Sequence, residues 1–173
     1  MGMESTPEVK LVEVVVARIV LRDSARGQHV YLRERDGARG FTLVIGAWEA
    51  EEIRRVLARE EAPRPMTHQL ALALVRALGG RVVRCDIVDF REHTFFAQLA
   101  VESLDRKTLA LIDSRPSDGI AIALRAGAPV RATTRWSQAT SHSRSMWRAI
   151  QRTPGCRPPT ARQPCWSRRV QSS

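Results

Sequence analysis

The spacing of apolar residues along the chain predicts strands and helices in a regular order. Alternating apolar and polar positions bounded by Gly, Asp and Pro predict six strands, and apolar positions three or four residues apart predict three helices. The predicted strands cover residues 11–21, 30–35, 40–45, 81–90, 94–101 and 108–113. The predicted helices cover residues 47–59, 68–78 and 116–125.

The order of these elements repeats along the chain. Each half consists of three strands followed by a helix, and the second helix joins the halves. Aligning Ile53 with Ile120 also aligns Leu57 with Leu124, which indicates an internal duplication. Runs of strands followed by helices predict an α+β fold with a mixed or antiparallel sheet.

The apolar pattern stops near residue 130, and the composition changes there. Residues 131–173 contain nine Arg and neither Asp nor Glu, whereas residues 1–130 contain 19 basic and 18 acidic residues. The formal net charge of +10 therefore lies almost entirely in the last quarter of the chain. We predict a flexible N-terminus (1–10), a folded body (11–130) and a mostly disordered basic tail (131–173).

Two interpretations of the predicted tail remain open. Its Arg residues would bind phosphates while Trp136, Trp147 and Trp166 stack on bases, as in a nucleic-acid arm. Alternatively, a frame change produced it, because 26 Arg against two Lys is typical of a GC-rich gene.

Three further features predict where the protein is located. No apolar run approaches the ~18 residues of a membrane span, so we expect no membrane association. Residues 1–10 lack the pattern of a signal peptide. The three Cys are too few for a disulfide scaffold, and Cys85 lies in an apolar strand. These features predict a reduced, cytoplasmic setting.

The segment Arg-Pro-Met-Thr-His at residues 64–68 lies at the predicted start of the second helix. Thr67 is placed to cap the helix, which explains the segment structurally. A helix start also binds anions through its free N–H groups, and Arg64 would add a bidentate donor. His68 would transfer protons near neutral pH. Helix capping and phosphate binding both fit this segment.

The segment Asp-Ser-Arg-Pro-Ser-Asp at residues 113–118 joins the last predicted strand to the third helix. Pro116 and Asp118 suit the first turn of a helix, which is the structural explanation. Asp113 and Asp118 together would also hold Mg²⁺ or Mn²⁺, with Arg115 neutralising a phosphate. An Asp–Arg ion pair fits equally well. Glu49 is a further candidate, although it also suits the start of the first helix.

Four motifs follow one another along the body: Ile-Gly-x-x-Glu-Ala at 45–50, Arg-Pro-x-Thr-His at 64–68, Thr-Phe-Phe-Ala at 94–97 and Arg-Pro-Ser-Asp-x-Ile-Ala at 115–121. Together they resemble the bifunctional nuclease domain family of bacteria and plants. The resemblance spans residues 11–130 and implies an α+β fold, degradation of DNA and RNA, and a homo-oligomer. Family members usually continue into a further strand, which we do not predict from residue 131 onward. Trp48 and Gly119 also depart from the family pattern.

The motif residues lead to a first hypothesis, a nuclease acting on DNA and RNA with little sequence preference. In this hypothesis a divalent metal assists phosphodiester hydrolysis. The expected catalytic residues are His68, Glu49 and Asp118; the expected phosphate-binding residues are Arg64, Arg115, Thr67 and Ser117; the expected metal ligands are Asp113 and Asp118.

The second hypothesis is a non-catalytic oligomeric scaffold that binds an anion or a protein. In that case the same residues would be helix caps and ion pairs. The two hypotheses differ in whether Arg64, His68, Arg115 and Asp118 line one cleft.

Overall fold

The computed structural model describes residues 10–21, 27–37, 39–92 and 94–136. Residues 22–26, residues 1–9 of the predicted N-terminus and residues 137–173 of the predicted tail lie outside this range. In chain order the elements are β1 (Leu11–Val20), β2 (Gln28–Glu34), β3 (Gly40–Ile45), α1 (Ala47–Ala58), α2 (Thr67–Ala77), β4 (Gly80–Arg91), β5 (Thr94–Ser103), β6 (Leu109–Ser114), α3 (Pro116–Ala126) and β7 (Val130–Thr133).

The described strands form one seven-stranded sheet in the order β3-β2-β1-β7-β4-β5-β6. Neighbouring strands are antiparallel except β4 and β7, which are parallel. Helix α3 contacts both α1 and α2 and packs on β4, β5 and β7. The predicted α+β fold with a mixed sheet is confirmed.

Strands from the first half of the chain form one end of the sheet, and strands from the second half form the other end. Strands β1 to β3 form one antiparallel meander, β4 to β6 form the other, and β7 lies between β1 and β4. Because β7 is antiparallel to β1 and parallel to β4, the two meanders run in opposite directions, as a two-fold relation requires. Ile53 and Ile120, which the sequence aligned, are both fully buried in the first and third helices.

Strand β7 corrects the predicted end of the folded body. Val14 pairs with Val130 and Leu11 with Thr133, while Cys85 on the other side also pairs with Val130. The segment from residue 131 was expected to form no strand, because it carries no apolar periodicity. It forms one because its partners β1 and β4 lie far away in the sequence and supply both hydrogen-bonded neighbours.

An aromatic cluster shows that the sheet is strongly curved. Phe41 on β3 and Phe95 on β5 have ring centroids 5.1 Å apart. Four strands lie between β3 and β5 in the sheet, so a flat sheet would separate them by about 24 Å. Trp136 packs on Phe41 at 5.0 Å and is only 2% exposed. This tryptophan, which the sequence assigned to the tail, therefore belongs to the core.

The helix boundaries differ from the predictions mainly at α2. The helix begins at Thr67, and its N-cap is Met66 in an extended conformation. Gln69 Oε1 accepts a hydrogen bond from the Met66 backbone N–H at 2.8 Å. The prediction that Thr67 is the N-cap is therefore wrong by one residue. Thr67 is already the first helical residue, and the Gln69 side chain caps the backbone of Met66 before it. Pro116 occupies the first position of α3, as predicted.

Candidate active site

A cavity of about 360 Å³ lies where the first turns of all three helices converge. Trp48 and Glu49 come from the start of α1, Thr67 and His68 from α2, and Asp118 from α3. The full lining consists of Trp48, Glu49, Glu51, Glu52, Arg55, Met66, Thr67, His68, Ala71, Arg115, Asp118 and Ile122. Helix N-termini carry partial positive charge and free N–H groups, so their convergence favours an anion.

Four charged or titratable side chains are connected along the wall of this cavity. His68 Nε2 lies 3.0 Å from Asp118 Oδ1. Arg115 donates from Nε to Asp118 Oδ2 at 2.8 Å and from Nη2 to Asp118 Oδ1 at 3.2 Å. The same Nη2 lies 3.0 Å from Glu49 Oε1. These contacts thus link side chains up to 69 positions apart in the sequence into one continuous network.

The surroundings of Asp118 stabilise its ionised form. Burial raises the pKa of this carboxyl, but the hydrogen bonds from Arg115 and His68 outweigh burial and bring the pKa below its ordinary value. Asp118 is therefore an anion at neutral pH. An anion in contact with Nε2 fixes the orientation of the His68 ring.

Arg115 keeps part of its guanidinium free. The side chain is 68% exposed, and its contacts to Asp118 and Glu49 use Nε and Nη2. Within the described residues Nη1 makes no hydrogen bond. An incoming anion can therefore reach Arg115 without displacing either carboxylate.

The remaining charged residues of the lining form ion pairs, either with another lining residue or with a residue outside the cavity. Arg55 Nε lies 3.2 Å from Glu51 Oε1, at the (i, i+4) spacing of a helix. Glu52 is buried and accepts a hydrogen bond from Arg125 Nε at 2.7 Å. These pairs neutralise two of the four carboxylates that face the cavity, and Arg115 contacts the other two.

The cavity contains five of the eight residues that the sequence proposed. They are Glu49, Thr67, His68, Arg115 and Asp118. The other three do not line it: Arg64 and Asp113 are exposed elsewhere, and Ser117 is buried in the first turn of α3. The convergence expected of an enzyme is thus present for the His68 and Arg115–Asp118 motifs, without Arg64.

The expected pair of metal ligands does not fit this geometry. Asp113 lies on β6 outside the cavity, and both oxygens of Asp118 already contact Arg115 or His68. Nowhere in the described part of the chain do three or more His, Cys, Asp or Glu side chains form a group that could hold a metal ion. We therefore derive no step through a metal.

Sequence reasoning missed several residues of the cavity wall. Trp48 was noted only as a departure from a motif, yet it lines the cavity and is 81% exposed. Glu51 and Arg55 carried a usable signal, because their spacing of four places both on one helix face. Met66 and Ile122 carried none, since an apolar residue at a helix start is ordinarily assigned to the core.

Comparison with known proteins decides the family. The family model described as bifunctional nuclease domain matches residues 30–144, which is more than half of the chain. The chain belongs to the bifunctional nuclease domain family. The match continues past residue 130, so the family sequence includes β7 and the first part of the predicted tail.

Two relatives are proteins of Mycobacterium tuberculosis, from strains CDC 1551 and H37Rv, both named as uncharacterized proteins. Each is 39% identical over 118 residues, which is 68% of this chain and 69% of the relative. Membership in the bifunctional nuclease domain family indicates a nuclease-related function.

Among the helices of the described residues, none has the length and apolar character needed to cross a membrane.

Proposed function

We propose that the protein hydrolyses phosphodiester bonds of DNA and RNA in the cavity formed by the three helix starts. The observation that carries the proposal is the connected group His68–Asp118–Arg115–Glu49 in a chain of the bifunctional nuclease domain family. Phosphodiester hydrolysis needs a group that moves protons and a group that stabilises charge on the phosphoryl oxygens. This group of residues contains both.

His68 is the proton-transfer residue in this proposal. When Nε2–H donates to Asp118, neutral His68 carries its lone pair on Nδ1. Nδ1 accepts a proton from water as the water oxygen attacks phosphorus, and the bond to the leaving oxygen breaks. The imidazolium, or solvent, then returns a proton to the leaving oxygen. Asp118 supports the reaction by holding the ring and stabilising the positive charge.

Arg115 binds the phosphate in this proposal, through the nitrogen Nη1 that its ion pairs leave free. The three helix N-termini add to the positive potential at the same point. Glu49 is a positioning residue, because its contact holds Arg115 at the cavity rather than touching the substrate.

A nuclease assay on single-site variants tests the proposal. We expect His68→Gln to lower turnover by about 10²–10⁴-fold, the usual contribution of a general acid or base. Asp118→Asn is expected to lower turnover as well, whereas Asp113→Asn is the matched control because that carboxylate lies outside the cavity. Circular dichroism melts verify that each variant is folded.

The same assay with and without EDTA separates the outcomes. Activity that persists in EDTA and disappears in His68→Gln supports the proposal. Activity that is lost in EDTA and in Asp113→Asn would instead place a metal at Asp113 and Asp118. If His68→Gln retains full turnover while Asp118→Asn has none, proton transfer by His68 is refuted.

The mutual pairing of the charges favours a second candidate function. Arg115 neutralises both Glu49 and Asp118, as expected of a structural ion-pair network in an anion-binding or protein-binding scaffold. This candidate predicts that the purified protein cleaves no nucleic acid and that the His68 and Asp118 variants differ from the parent only in stability.

A further inference from the structure

We propose that Trp48 is a stacking platform for an unpaired nucleobase, so that the site takes single-stranded nucleic acid. The inference rests on the proposed function and specifies its substrate class. It starts from the position of one indole ring, which lines the cavity beside Glu49 and Arg115 and is 81% exposed.

The exposure of Trp48 requires an explanation, because large aromatic side chains are ordinarily buried. Phe95 and Trp136 of the same protein each stack on the buried ring of Phe41. Trp48, by contrast, is the second residue of α1 and leaves most of its ring in solvent. An exposed aromatic ring beside polar site residues is typical of a binding surface.

The neighbours of Trp48 determine what it would bind. Glu49, the next residue in the chain, contacts Arg115 Nη2 at 3.0 Å, and Arg115 Nη1 is free for an anion. A planar apolar surface and a cationic hydrogen-bond donor therefore line the same cavity. A nucleotide presents the complementary pair, a flat base and a phosphate.

Base pairing determines which nucleic acids can bind in this cavity. Bases inside a duplex are stacked on one another and present only their edges, whereas unpaired bases can turn outward and stack on an aromatic side chain. Each such base contributes about 5- to 100-fold to affinity, with little dependence on sequence. Preference for single strands therefore agrees with the low sequence preference expected of the site.

The experiment measures binding of three labelled probes by fluorescence anisotropy. The probes are a single-stranded oligothymidylate, the same backbone with abasic sites, and a hairpin duplex. The full-length chain is compared with Trp48→Ala, Trp48→Phe and Leu78→Ala. Leu78 is the matched control, because it is 86% exposed at the end of α2 and does not line the cavity.

We expect Trp48→Ala to weaken binding of oligothymidylate by about 5- to 100-fold and to leave the abasic and duplex probes unchanged. Trp48→Phe should recover most of the affinity, since a phenyl ring also stacks. Leu78→Ala should behave as the parent. The positive charges of residues 137–173 are identical in all variants, so their salt-dependent attraction cancels in the comparison.

Two results would overturn the inference. Unchanged oligothymidylate affinity in Trp48→Ala would show that no base stacks there. Equal weakening for all three probes would show a general surface contact. A parent that cleaves while Trp48→Ala binds normally refutes the stacking role alone. Trp48-dependent binding without any cleavage refutes the proposed hydrolysis alone.

Discussion

Arg115 and Arg64 are two exposed guanidinium groups at neighbouring helix starts, and the structure places them differently. Arg115 lines the cavity, whereas Arg64 does not. We expect Arg115→Ala to raise the KM for an oligonucleotide by roughly 10- to 100-fold, the value of a hydrogen bond to a charged group. The substitution also leaves Glu49 and Asp118 unneutralised, which adds repulsion of phosphate.

Steady-state kinetics of Arg115→Ala and Arg64→Ala check this expectation. Arg64→Ala serves as the control, with a KM close to that of the parent. An equal rise in KM in both variants would contradict the separation and support the wider phosphate site that the sequence predicted.

Gly119 provides a second test at the residue scale, this time of packing. A Cβ at this position would lie 2.7 Å from Cys85 Sγ and 3.0 Å from Ser114 Oγ. Cys85 is fully buried, so its sulfur has little room to move. We expect Gly119→Ala to lower the free energy of unfolding by about 1–3 kcal/mol, the usual cost of overpacking.

A double-mutant cycle isolates the steric clash between a Cβ at position 119 and the Cys85 sulfur. In a Cys85→Ala background the sulfur is absent, and alanine favours a helix over glycine by about 1 kcal/mol. Gly119→Ala should then be neutral or slightly stabilising in urea unfolding. The same destabilisation in both backgrounds would mean that the cost does not come from the Cys85 sulfur.

The sequence predicted individual site residues where helix geometry could be applied to them. Arg115 and Asp118 are three residues apart at the start of α3, so their meeting follows from the spacing. Ser117 lies between them and faces the core, although the motif includes it. The contact of His68 with Asp118 joins positions 50 residues apart, and no local rule predicts that distance.

At the level of elements, Asp86 ties β4 to β7. Arg131 Nε and Nη2 each donate to its carboxylate at 2.7 Å, and Arg84 Nε donates at 2.9 Å. Burial raises the pKa of Asp86, but these hydrogen bonds outweigh burial and bring the pKa below its ordinary value of 3.8. The ionised carboxylate is thus favoured by folding.

This depressed pKa predicts how stability depends on pH. The contribution is fully present above about pH 4, where the unfolded carboxyl is ionised, and is lost as pH falls through the lower pKa of the folded state. Asp86→Asn should lower the free energy of unfolding by about 1.5–3 kcal/mol at pH 7. The difference from the parent should shrink as the pH is lowered below about 4.

Urea unfolding at pH 7 and at about pH 3 measures this difference. Asp113→Asn is the control, since that carboxylate is exposed and lies in β6. A gap between parent and Asp86→Asn that stays constant with pH would show that the charge of Asp86 does not stabilise the sheet.

Most elements could be predicted because their signals are local. Alternation and the Asp36-Gly37 turn indicate the β2–β3 hairpin, and helical periodicity indicates α1 to α3. Strand β7 was missed because four residues, Val-Arg-Ala-Thr, are too short to show alternation. Its partners are supplied by the tertiary fold, as is the curvature that brings Phe41 to Phe95.

At the scale of the whole molecule, the boundary of the folded body lies at or beyond Trp136. A chain ending at residue 130 lacks most of β7, the Arg131 partner of Asp86, and Trp136. Removing a buried Trp alone costs about 3–5 kcal/mol, and typical domains are stable by about 5–15 kcal/mol. We therefore expect this shorter chain to show no cooperative thermal transition.

A chain ending at residue 136 keeps every strand and helix of the described fold, so its thermal transition should lie close to that of the full chain. It lacks seven of the nine Arg of the 131–173 segment, so its polyanion affinity should fall, with a shallower salt dependence. Each phosphate that the shortened chain no longer neutralises should reduce the log–log slope by about 0.7–0.9.

Melting and salt-titrated binding of the two truncations separate the effect on folding from the effect of charge. If the chain ending at 130 melts like the full chain, β7 and Trp136 are dispensable. If the chain ending at 136 keeps the full salt slope, the body itself holds the polyanion.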